Sequence, residues 1–293
     1  MNRFIKKVFF GVILFSGLSL IMVEGVSFLV RNTLSLKIEM NKNILILGDS
    51  QTQFSLNDSI LTNSINLSES ADTYFYSYVK LKRLIPENPQ IDTLFLSYSY
   101  HNISKTQDNW LKSQNINGFK FPLHYFLMDF DEVIFLIRQN PKAFFTFYFH
   151  SFKFNFGHLM RFFKNENLNN FGIGTYTGTN ENKLQLNLNT THNLCDVGNI
   201  DLKYLDKIVE ICSANKVKVI LIATPIYLFK GTDCPFFEQV LNARVSTYQN
   251  VSFYNYSNFK LKQTCFKDAS HLNSEGAAIF SSMIKDTIKY INQ

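Results

Sequence analysis

Asn43-Ile44-Leu45-Ile46-Leu47-Gly48-Asp49-Ser50 is the stretch on which the fold turns. Four consecutive apolar residues, closed by a glycine, leave no polar face for water, so they read as a short strand buried on both sides. Strands of that kind belong to parallel sheets covered by helices. In such a sheet ligands bind beyond the carboxyl ends of the strands, which puts Ser50 where chemistry is normally placed. The same tripeptide has a plainer reading as a turn, since glycine bends the chain and Asp or Ser caps a helix.

Outward from this strand the pattern repeats. Asp92 to Tyr98 and Val217 to Thr224 read as two more buried strands, Ser64-Ile65-Asn66-Leu67 as a weaker one, and Val251 to Tyr256 as the last. Between them Tyr74, Tyr78, Leu81 and Ile85 recur at helical spacing up to Pro86. Leu202, Leu205, Ile208, Val209 and Cys212 share one helical face, and Phe280, Met283, Ile284, Ile288 and Ile291 stripe a final helix from about Ser274. Strands alternating with amphipathic helices predict a three-layer α/β/α sandwich around a central parallel sheet.

Residues of about 103 to 195 break the alternation and read as a helical or irregular insertion. Its segment from Phe144 to Phe149 and on to Phe162-Phe163 is dense in aromatics. Two readings stay open: a lid whose rings pack on the sheet, or a surface facing a membrane or partner. Aromatic faces also suit the apolar sides of sugar rings.

With 46% hydrophobic and 18% charged residues among 293, the chain can bury a sizeable core and is no candidate for disorder. The net charge of +6 comes without a nucleic-acid-binding module, so no nucleic-acid partner is expected. Part of the excess sits at Arg3, Lys6 and Lys7, ahead of the apolar run Val8 to Val23, which is long enough to span a bilayer.

No small-residue cleavage pattern follows that run, which favours a retained anchor over residues 1–31 rather than a removed signal. The basic flank keeps the N-terminus in the cytoplasm. Residues 40–293 are then an extracytoplasmic, periplasmic domain on a single-pass protein of the inner (cytoplasmic) membrane. Export permits disulfides: Cys212, on a helix's apolar face, reads as a buried thiol, and Cys234 with Cys265 as the first candidates for a bridge. Cys195 is the fourth cysteine. No His/Cys cluster suggests a metal.

A serine hydroxyl needs a base, and an imidazole base needs a carboxylate to fix its tautomer. Asp268-Ala269-Ser270-His271, just ahead of the last helix, offers both. Taken alone, such a histidine is more often a surface or capping residue. Paired with Ser50, it closes an α/β pattern that Gly48-Asp49-Ser50 opens.

Gly48-Asp49-Ser50 after the first strand and Asp268 to His271 before the last helix together resemble the GDSL, or SGNH, hydrolase superfamily. The likeness covers about residues 43–100 and 200–293. It implies a flavodoxin-like sandwich, Ser50 as nucleophile, His271 as base, Asp268 as its partner, and no cofactor. In that superfamily a glycine after the second strand and an asparagine after the third donate to the oxyanion. Here the second block is Asn66-Leu67-Ser68-Glu69-Ser70, which offers Ser68 or a neighbouring amide. The third is Ser97-Tyr98-Ser99-Tyr100-His101-Asn102, which offers His101 or Asn102.

The single anchor adds a likeness in layout to proteins of alginate O-acetylation and of D-alanyl transfer to lipoteichoic acid. It implies an esterase or O-acyltransferase acting on an acylated or acyl-accepting envelope glycan, beside a multispanning membrane acyltransferase. A catalytically silent interaction or carbohydrate-binding protein on the same fold is the expectation from another class.

Overall fold

The computed structural model describes residues 2–164, 172–182, 196–227 and 237–291. Two units divide the chain: Met1–Ser35 with Ser113–Asn169, and Leu36–Lys112 with Asn170–Gln293.

The second unit is built on β1 (Ile44–Leu47), all four of whose side chains are buried. β2 (Ser64–Asn66) pairs with it on one side and β3 (Thr93–Ser97) on the other. β4 (Lys218–Ala223) and β5 (Val251–Asn255) follow, and every pairing is parallel, in the order β2-β1-β3-β4-β5. The chain therefore reverses direction across the sheet between β1 and β3, and their carboxyl ends form the switch-point crevice.

Helices cover both faces. On one, Ile44, Ile46, Phe95 and Ile222 pack with Leu56 beside α2 (Ser50–Ser55) and Phe280 of α11 (Ser274–Ile291). Because strand side chains alternate, Leu45, Leu47, Leu94 and Leu96 face the other layer. There α3 (Tyr74–Glu87) and α9 (Leu202–Ala214) pack on each other. Burying each of these leucines and isoleucines contributes about 1.5–3 kcal/mol. Two short helices, α4 (Tyr100–Ile103) and α5 (Lys105–Lys112), follow β3, and α10 (Phe237–Val245) precedes β5. The architecture is the expected α/β/α sandwich.

Three differences from the sequence expectation are instructive. α3 runs one residue past Pro86, a proline in the last turn being far less disruptive than one mid-helix. Lys80, on the buried face of α3, is wholly enclosed, with Nζ 2.5 Å from Asp72 Oδ2 and donating to the Leu67 carbonyl at 2.8 Å. Cys265 is a buried free thiol; its expected bridge partner Cys234 lies outside the described residues, as does Cys195. Cys212 is buried and free as expected.

The insertion divides as well. Residues 103–112 and 172–182 belong to the sheet unit, whereas 113–164 form, with residues 2–35, the other unit. That unit comprises α1 (Asn2–Thr33), α6 (Gln114–His124), a 3₁₀ turn at Tyr125–Leu127, α7 (Phe130–Gln139) and α8 (Pro141–Phe163). α1 is long and apolar enough to cross a membrane, a property that anchors and signal sequences share. Near its C-terminal end Glu24 accepts from the hydroxyls of Tyr125 and Tyr148, and Asn155 donates to Ser27 Oγ at 2.7 Å. Arg31 donates to the Phe126 and Met128 carbonyls.

In the sheet unit, two acidic side chains organise the approach to α9. Asp108 accepts from the amides of Asn199, Ile200 and Asp201, and Asp201 in turn accepts from those of Tyr74 and Phe75 at the start of α3. Burial raises the Asp201 pKa to about 7, the nearby charge of Asp108 adding to the rise and the two amide bonds opposing it. Between about pH 4 and pH 7 the folded chain then holds a proton that the unfolded chain releases, so stability falls as pH rises through that window. Melting temperatures followed by circular dichroism across it should show this decline, and Asp201→Asn should flatten it.

Candidate functional site

The site begins with a backbone requirement. Gly48 ends β1 at φ +143°, and a Cβ there would lie 2.4 Å from the Cβ of Ser97 on the neighbouring strand. Only glycine permits this close approach and conformation. The turn it makes starts α2, with Asp49 as N-cap and Ser50 as the first helical residue.

Asp49 is almost fully buried, and its carboxyl group is held from three directions. Oδ1 accepts from the Gln51 amide at 3.0 Å and the Ser97 hydroxyl at 3.1 Å, and Oδ2 accepts from Asn102 Nδ2 at 2.9 Å. Asn102 is locked from its other end, where Oδ1 accepts from the Ser99 amide and hydroxyl and lies 3.1 Å from the Ser97 hydroxyl, whose single proton it shares with Asp49. The turns after β1 and β3 are thereby joined into one polar knot at the switch point.

The loop before α11 brings the other half. His271 Nε2 lies 2.7 Å from Ser50 Oγ, and Nδ1 lies 2.9 Å from both carboxylate oxygens of Asp268. The amides of Ser270 and His271 also donate to Asp268 Oδ1. Burial works against ionisation of Asp268, but the bond from His271, its charge, the Ser270 amide and Lys267 outweigh it and hold the carboxyl below its ordinary range. An ionised carboxylate only accepts, so Nδ1 carries a proton, and in the neutral imidazole Nε2 is left to accept from the Ser50 hydroxyl. The imidazole is braced by the Phe54 ring at 5.3 Å, over which the Lys267 ammonium sits at 4.2 Å.

Ser50, Asp268 and His271, 221 residues apart along the chain at the widest, are thus brought into one hydrogen-bonded line. The three candidate oxyanion donors are placed differently. Asn102 has its amide on Asp49, so it braces the turn that presents Ser50. The Ser68 amide donates to Asn66 Oδ1, while its buried hydroxyl has no partner among the described residues. His101 is half-buried, with its ring edge-on to Trp110 at 5.0 Å. Among the described residues no cluster of His, Cys, Asp and Glu could hold a metal.

No protein-family model matches the chain, and no curated protein does. Among solved structures, it is similar to a GDSL-like lipase from Bacteroides thetaiotaomicron, at 14% identity and TM-score 0.41 over 89% of this chain and 94% of that one. It is similar also to a presumed acylhydrolase from Bacteroides fragilis, at 14% identity and TM-score 0.40 over 86% and 88%. At such values the fold rests on the sheet order above and the site on its own geometry.

Two features of the site were not read from the sequence. One is the Asp49–Ser97–Asn102 knot; the capping spelling of Asp49 was visible, but not the partner it would find after β3. The other is the segment Gly172–Asn182, which runs beside the second block: the Thr175 amide donates to the Ser68 carbonyl and that of Thr177 to Gln53. Gly174, at φ +149°, presses against the Leu67 carbonyl, where a Cβ would come within 2.2 Å. A positive-φ glycine in a polar tail was the one available signal.

If Asn102 braces Asp49, Asn102→Ala should destabilise the fold by about 1–3 kcal/mol through the buried Asp49 Oδ2 it leaves without its donor. Urea unfolding of the parent and the variant measures this. A change within about 0.5 kcal/mol, the scale of ordinary surface substitutions, would instead mark Asn102 as a side chain open to solvent.

Proposed function

We propose that this chain is a membrane-anchored serine esterase or O-acyltransferase that works through an acyl-enzyme on Ser50. The observation that supports this most is the unbroken line Ser50 Oγ to His271 Nε2 at 2.7 Å and His271 Nδ1 to Asp268 at 2.9 Å. In the reaction His271 removes the Ser50 proton as Oγ attacks an ester carbonyl, and Asp268 stabilises the imidazolium that forms. The oxyanion is held by the backbone amide of Ser50, at the first position of α2, where a helix provides no internal acceptor. The second donor we assign to Ser68 or a neighbouring amide of the second block, with His101 as its competitor. The protonated imidazole then releases the alcohol, and water or an acceptor hydroxyl takes the acyl group.

With α1 as a retained anchor and Arg3, Lys6 and Lys7 on the cytoplasmic side, the site faces the periplasm. The substrate that fits this placement is an acyl group, acetyl among the simplest, on an envelope polysaccharide, and the fitting partner is a multispanning acyltransferase in the same membrane. Neither reaction needs a cofactor.

The full chain, incubated with an activated acetyl ester, should turn it over and carry an acetyl group on Ser50 detectable by mass spectrometry. Ser50→Ala should remove the adduct and lower turnover by about four to six orders of magnitude, the scale seen when a triad nucleophile is lost. A folded parent with neither adduct nor turnover would establish a silent binding protein. Adding a glycan acceptor separates transfer from hydrolysis by where the acetyl group is found.

A further inference from the structure

α8 buries polar side chains while it exposes most of its phenylalanines. A helix on a soluble surface buries its apolar stripe and exposes its polar one. In α8 the side chains turned inward include, beside Ala143, Phe144, Tyr148 and Leu159, the fully buried Ser151 and Asn155 and also His158, at 6% exposure. Those turned outward include Phe145 at 61%, Phe149 at 52%, Phe156 at 45% and Phe163 at 68%. Ser151 Oγ, Asn155 Oδ1 and His158 Nδ1 have no hydrogen-bond partner among the described residues. Polar groups facing a helix neighbour and apolar groups facing out is the arrangement that a lipid environment rewards.

α8 packs on both α6 and α1, and the polar contacts of its inward face run to α1. In α1, Val23, Ser27 and Val30 are buried, whereas Phe9, Phe15 and Ile21 are not. α8 packs along the C-terminal third of α1, through Glu24 with Tyr148 and Ser27 with Asn155. A hydrocarbon core of about 30 Å takes about 20 helical residues, so a span starting near Val8 leaves the hydrocarbon at about the level of Ser27. α8 therefore meets α1 at the membrane boundary. There Lys142, Lys153 and Arg161, all exposed on the same helix, suit anionic headgroups while the phenylalanines suit the acyl chains.

We propose that α8 is an interfacial membrane helix, docked on α1 through its polar face, with its phenylalanines in the acyl-chain boundary of an anionic bilayer where α1 emerges. The occupant of this aromatic face is lipid. The inference rests on α1 crossing the bilayer and is independent of the chemistry at Ser50.

The test uses the full chain in vesicles of phosphatidylcholine and phosphatidylglycerol with brominated acyl chains. Phe149→Trp and Phe156→Trp each add one tryptophan to Trp110, the parent's single one, whose emission is subtracted. Both positions are exposed, so the larger ring needs no repacking, and circular dichroism checks each fold. The added emission should fall about two-fold or more relative to unbrominated vesicles and resist aqueous iodide, as a side chain at the acyl boundary requires. Emission indifferent to bromine overturns the proposal, with iodide quenching pointing to water on this face and iodide resistance to protein cover. Failure of the chain to float with vesicles overturns it together with the anchoring of α1.

Discussion

The buried carboxyl group of Asp49 is the constraint on which the sheet unit's working end depends. A carboxyl group out of water must find donors or lose several kcal/mol. Asp49 finds them on three elements: the Gln51 amide of α2, the Ser97 hydroxyl at the end of β3 and the Asn102 amide of α4. Satisfying that one group therefore fixes the direction in which α2 leaves β1, and with it the place of Ser50. It also ties the turn after β1 to the turn after β3, the two strands that flank the reversal in sheet order. Gly48 is what lets the turn come that close, since any side chain would occupy the space of Ser97.

The other half of the site is placed by a different logic. Asp268 and His271 sit in a short loop whose own amides cap the carboxylate, so their mutual geometry is local. Only their distance from Ser50 is a tertiary matter, set by α11 packing against α2 on one face of the sheet. A preformed local pair carried to a rigid turn needs little reorganisation. That is why two short blocks at opposite ends of the chain can meet at 2.7 Å.

The same distinction explains what was legible in the sequence. Continuous apolar runs such as Ile44–Leu47 report burial on both faces directly, so the strands and the parallel sheet could be read with ends good to a residue or so. The Asp-x-x-His pair was legible because its interaction is local. Asn102 was visible as a polar residue after β3, but whether its amide faces the crevice or Asp49 depends on a residue 53 positions away. Lys80 escaped notice for a related reason: hydropathy patterns assign lysine to water, and the enclosed Asp72 carboxylate together with the Leu67 carbonyl makes its burial tolerable.

The insertion failed to resolve because its periodicity is real but its buried stripe mixes polar and apolar side chains. A 3.6-residue stripe says which residues share a face, not which face is outside. In α8 Phe144, Tyr148, Ser151, Asn155 and His158 form one buried stripe, while Phe145, Phe149, Phe154, Phe156, Phe162 and Phe163 are exposed. Scored against water the helix exposes more phenylalanine than it buries, so it reads as irregular or as a lid. Scored against lipid, the Ser27–Asn155 bond and the two hydroxyls on Glu24 become the inward contacts, and the aromatic surplus becomes the outward surface. The solvent assumed in reading a pattern is thus itself a structural hypothesis. For residues 114–163 the apolar length of α1 is what recommends changing it.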